Sequence, residues 1–147
     1  MAQRPLTPAQ AERQFSQGFH CSQVVLAHAA DEVGLDEEMA RRIAGGLGGG
    51  AFHGELCGCV SGAILALSLQ YGFDQPFATE DSARLTAQIS EFTRRFQEAH
   101  GSIVCRELLK YDFADPEQAR RIMAEKLFLP LCPQLAASAC AMLDEML

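Results

Sequence analysis

A chain of 147 residues that is 48% apolar and 21% charged has the size and composition of one globular domain, residues 1–147, which excludes disordered and fibrous classes. Nineteen acidic against twelve basic side chains give a net charge of -7 with no block of Lys or Arg, so nucleic acid and anionic membrane surfaces are not expected partners. The longest nearly uncharged apolar stretch, Leu56 to Leu69, falls short of the roughly 20 residues a bilayer span needs. The N-terminus lacks the apolar centre of a secretory signal, and the expectation is a cytoplasmic chain without membrane insertion.

Apolar residues recur at spacings of three and four and almost nothing alternates with period two, which predicts an all-α bundle of about seven helices. Thr7-Pro8-Ala9-Gln10 is a capping box with Pro at the opening position of a helix that runs to about Gln17. A second helix starts near Cys21, turns Val24, Val25, Leu26, Ala29 and Val33 inward, and stops at Gly34. Asp36 caps a short third helix that ends in the glycine run Gly45-Gly46-Leu47-Gly48-Gly49-Gly50.

The fourth helix is expected from near Glu55 to Gln70, with Gly58, Gly62 and Ala66 forming a strip of small residues that lets another backbone approach. Thr79-Glu80-Asp81-Ser82 opens a long fifth helix carrying Leu85, Ile89, Phe92 and Phe96 before Gly101. A short helix follows from Cys105 to Tyr111. Asp115-Pro116-Glu117-Gln118 opens another that runs to about Phe128, and Pro130 and Pro133 precede the last one. The phenylalanines at 15, 52, 73, 77, 92, 96, 113 and 128 read as core or lid residues.

The glycine run does not match a nucleotide loop. No strand precedes it, the G-x-G-x-x-G spacing fails between Gly45 and Ala51, and no Lys-Ser or Lys-Thr follows. It reads as a flexible connection or as a bend that brings backbone close to the next helix.

Six cysteines are too few for a disulfide scaffold in a chain of 147 residues, so in a reducing compartment they are core fillers, redox couples or ligands. Cys21, Cys57, Cys105 and Cys132 each fall within about the first turn of an expected helix, where unpaired amides and the helix dipole favour a thiolate. On a helix starting at Glu55, Cys59 would point about 200° away from Cys57. Cys140 lies about 12 Å along the axis from Cys132. Both are expected to be packing residues outside the site. Among neighbours, His53 could reach Cys57 as a hydrogen-bond partner or ligand, and Arg106 could favour the Cys105 thiolate. His20 and His100 also lie close to cysteines, and His28 reads as a helix residue away from them.

At these residues the sequence resembles a family of proteins classed as redox-active and named for a C-G-A-x-x-G motif and four cysteines. The resemblance rests on Phe19-His20-Cys21-Ser22-Gln23-Val24-Val25-Leu26, on the glycine run before Cys57-Gly58-Cys59-Val60-Ser61-Gly62-Ala63, on Cys105-Arg106-Glu107-Leu108-Leu109, and on Cys132 before a closing helix. It implies that Cys21, Cys57, Cys105 and Cys132 are the family cysteines, while Cys59 stands where the motif has alanine. The family is similar to part of certain multihaem cytochromes, but no C-x-x-C-H is present, so covalent haem is not implied.

The expected function is thiol redox work, with these cysteines cycling between dithiol and disulfide against a redox partner or a small thiol. The alternative is a binding module in which Cys21, Cys57, Cys105 and Cys132 hold an iron-sulfur cluster or zinc.

Overall fold

The structure, a computed structural model, describes residues 4–147 and is all-α. Eight α-helices occur among the described residues: α1 (Pro8–Ser16), α2 (Cys21–Ala29), α3 (Glu37–Ala44), α4 (Gly58–Tyr71), α5 (Thr79–His100), α6 (Cys105–Leu109), α7 (Pro116–Ala124) and α8 (Cys132–Met146). No helix of the described residues is long and apolar enough to cross a membrane.

Local chemistry sets most of the ends. Thr7 accepts from the Gln10 amide while the Gln10 side chain accepts from the Thr7 N–H, closing the capping box of α1. Asp36 and Asp115 accept from amides in the first turns of α3 and α7. Gly101, at φ 88°, ends α5 in the left-handed conformation that glycine adopts without penalty.

Helix α2 is the hub of the bundle and packs against α4, α3 and α8, while α1 lies on α8 and α5 on α4. Its Val24, Val25, Leu26 and Ala29 are fully buried. Complete burial of a side chain such as Leu26 stabilises by roughly 1.5–3 kcal/mol. The crossing with α4 is close because Gly62 faces the backbone of Ser22, where a Cβ would come within 2.8 Å of the Ser22 carbonyl oxygen. The buried Ser22 hydroxyl donates to the Ala44 carbonyl at 2.7 Å, and the Gln23 amide donates to the Arg41 carbonyl at 2.8 Å, so polar groups of α2 hold the end of α3.

Two expectations about aromatic residues fail. Phe77 is 99% exposed and Phe73 is 47% exposed, so neither belongs to the core, whereas Phe92 and Phe96 are fully buried on α5. Both exposed rings lie in the connection after α4, beyond the reach of the helices that build the core.

Candidate functional site

The glycine run forms a tight turn over Gly45–Leu47 and then a left-handed stretch. Gly49, Gly50, Ala51 and Phe52 have φ of 59°, 64°, 57° and 55°. Two of these residues are not glycine, and each such position carries a penalty of about 1–2 kcal/mol. The stretch returns at Glu55, whose amide donates to the Gly50 carbonyl at 3.1 Å. Its backbone lies against the start of α4, where the Gly48 Cα and the Leu47 carbonyl oxygen would each be 3.2 Å from a Cβ at Gly58. The bend that brings backbone to the cysteine-bearing helix is therefore present.

After the loop the chain does not enter α4 directly. Leu56 pairs with Val104 in a single antiparallel bridge, with the Cys57 amide donating to Ile103 at 2.8 Å and the Cys105 amide donating to Glu55 at 2.6 Å. Side chains alternate across extended backbone, so Cys57 and Cys105 project to the same side of this bridge. Cys57 then serves as the N-cap of α4, with φ -52° and ψ 133°.

All four cysteines expected at helix starts are there. Cys21, Cys105 and Cys132 are the opening residues of α2, α6 and α8, and Cys57 immediately precedes α4. They line one cavity of about 70 Å³, partly open to solvent, together with Cys59, His20 and the rings of Phe15, Phe19, Phe52, Phe113 and Phe128. His20 meets Phe52 edge-on at 4.9 Å between centroids, and Phe52 meets Phe113 in the same way at 5.9 Å, so the left-handed stretch carries an aromatic cover. All six cysteines are free thiols.

Cys59 is the correction to the sequence reading. It lines the cavity beside Cys21 and Cys57. The 200° separation of Cys57 and Cys59 holds only on a helix already formed at Glu55. Because α4 begins at Gly58, Cys57 is extended and no helical rotation separates the two sulfurs. Cys140 is buried on α8 outside the cavity, as expected.

The Cys21 thiol is pulled down to about 7. A hydrogen bond from Cys59 is the largest cause, opposed by burial and supported by backbone amides of Gly49, Ser22 and Cys21 itself. Cys59, as the donor, is held well above the ordinary thiol range. The expectation that several helix-start thiols would be acidified fails at Cys105, which burial pushes up to about 12, and at Cys132, which burial pushes well above the ordinary thiol value. Negative charge on Cys21 raises both further, so a thiolate there suppresses ionisation at Cys105 and Cys132.

The neighbouring candidates lie elsewhere. His53 is exposed, outside the cavity lining, with Nδ1 2.7 Å from the Ala51 carbonyl oxygen. Arg106 donates to the Gly54 carbonyl at 3.1 Å and pairs with Glu55 at 3.1 Å, so it moors the loop and does not line the cavity. His100 contacts the Ser138 hydroxyl at 2.8 Å, and His28 contacts Asp144 at 3.0 Å. The histidine that does reach the cavity is His20, which burial holds below the ordinary imidazole value. Its adjacency to Cys21 was the only signal of this in the sequence.

A zinc ion takes about four thiolate or imidazole ligands converging on one point, whereas the thiolates of an iron-sulfur cluster are spread over its several irons. Among the described residues no group of three or more His, Cys, Asp or Glu side chains is arranged to hold a metal ion. The five sulfurs share a cavity without forming a ligand set for a single metal ion such as zinc.

A helical bundle whose helix starts deliver cysteines to one apolar cavity is a cysteine-site protein in the broad sense. Residues 19–146 match the family described as "Putative redox-active protein (C_GCAxxG_C_C)", and the chain belongs to that family. Neither a curated protein nor a solved structure matches the chain.

Proposed function

We propose that the chain is a thiol redox protein in which Cys21 is the attacking thiolate and neighbouring cavity thiols resolve it, so that cysteine pairs cycle between dithiol and disulfide. The observation that carries this reading is the meeting of Cys21, Cys57, Cys105 and Cys132 at one cavity, with Cys21 held by several donors toward its anionic form. Cys21 is 9% exposed and the cavity is partly open, so the nucleophile is sheltered but reachable. Six unpaired thiols suit a reducing compartment such as the cytosol, and a redox protein or a small thiol would be the partner.

Free-thiol counts after mild oxidation and after reduction test the reading. A reversible loss of thiols in pairs, absent in Cys21→Ser, supports it. Six titratable thiols under every condition would overturn it.

A further inference from the structure

The oxidant this site takes can be narrowed from what surrounds Cys21. A volume of about 10–15 Å³ admits one water. The cavity of about 70 Å³ therefore admits a molecule of only a few heavy atoms. None of its lining residues is Lys, Arg, Asp or Glu. A charged disulfide such as oxidised glutathione would have to leave its carboxylates unpaired among aromatic rings.

The proton inventory narrows it further. Cys59 is fully buried, lines the same cavity as Cys21 and keeps its proton. A departing thiolate needs no proton near neutral pH. A departing hydroxide or alkoxide does, since water ionises only with a pKa of about 15.7. A proton donor beside the attacking sulfur is thus of use to an oxygen leaving group.

Resting on the thiol redox reading above, we propose that the substrate class is a small uncharged hydroperoxide, reduced at Cys21 with Cys59 as proton donor and resolving thiol. The Cys21 thiolate attacks the nearer peroxide oxygen, forming an S–O bond as the O–O bond breaks. The leaving oxygen takes the Cys59 proton and departs as water or alcohol. The Cys59 thiolate then attacks the Cys21 sulfenic sulfur, forming the S–S bond and expelling hydroxide, which solvent protonates. Two electrons pass from the sulfur pair to the peroxide, and a dithiol reductant returns them by thiol–disulfide exchange.

The test mixes the fully reduced protein with hydrogen peroxide, tert-butyl hydroperoxide or oxidised glutathione and follows thiol loss, with peptide mapping of the products. The expected result is a Cys21–Cys59 disulfide formed by the peroxides about tenfold or more faster than by glutathione disulfide at equal concentration. In Cys59→Ala, Cys21 should accumulate as sulfenic acid that dimedone traps, and Cys140→Ala should behave as the unaltered protein. Faster reaction with oxidised glutathione, or a peroxide product lacking Cys59, overturns the substrate assignment while cysteine cycling stands. Failure of all three oxidants to remove thiols reversibly overturns the cycling reading itself.

Discussion

The sulfur of Cys21 occupies the space that a Cβ on residue 58 would need, so Gly58 and Cys21 are a matched pair across the α2–α4 crossing. The Gly48 Cα and the Leu47 carbonyl oxygen close the same space from the loop side, each 3.2 Å from that Cβ. Neither backbone can yield without moving the glycine run. Gly58→Ala should therefore destabilise by about 1–3 kcal/mol, the range for overpacking a filled core, and should displace Cys21 from its donors. Thermal unfolding together with alkylation of Cys21 at pH 7 checks both effects, and an unchanged melting temperature would refute the match.

The acidity of Cys21 depends most on the Cys59 thiol. Removing that donor in Cys59→Ala leaves burial, which disfavours the charged form, opposed only by the backbone amides. The pKa of about 7 should rise toward the ordinary thiol value. At pH 7 the thiolate fraction, and with it the rate of iodoacetamide modification, should then fall by about tenfold. The pH profile of alkylation reads this directly, and a midpoint unmoved by the substitution contradicts it.

Buried thiols with raised pKa values make the fold sensitive to alkali. Cys59, Cys105, Cys132 and Cys140 keep their protons in the folded chain where the unfolded chain, with thiols near 9.0, loses them. The unfolded state then binds fewer protons, so stability is full below about pH 9 and declines as pH rises toward the folded values. Each such thiol removes about 1.4 kcal/mol per pH unit in that window. Urea unfolding between pH 7.5 and 10.5 should show a steep loss, and Cys140→Ala should make the slope shallower by one thiol's contribution. Cys21 acts in the opposite sense, its contribution being present above the unfolded value and lost as pH falls through about 7.

Ala51 is exposed, with φ 57°, and glycine would adopt that conformation without a Cβ penalty. Ala51→Gly should thus stabilise the chain by about 0.5–1 kcal/mol, the relief of left-handed strain exceeding the added freedom of the unfolded chain. Chemical denaturation measures this, and a net destabilisation would mean that the methyl group makes a contact of value.

The helices were legible because their ends carry local chemistry. Thr7-Pro8-x-Gln10, Asp36 and Asp115-Pro116 each announce a start, and Gly101 announces a stop. The four cysteines at helix starts followed from the same signals. What was not legible arose from pairing across the chain. The bridge of Leu56 with Val104 delays α4 until Gly58, and no local pattern encodes a partner so far away in sequence. That delay is why Cys59 faces Cys21. His53 was misplaced for a related reason, since the left-handed run through Phe52 turns it outward while Phe52 covers the cavity.

The clamp between Leu56 and Val104 is made by main-chain amides and carbonyls, so the spacing of Cys57 and Cys105 does not depend on which side chains flank them. The long excursion through α4 and α5 leaves this clamp and returns to it, with its far turn at residues 72–78. Insertions or deletions in that turn would change the sequence distance between the two cysteines without moving either sulfur. Two residues that seem unrelated along the chain are thus a fixed unit in space, while the length that separates them is free to drift.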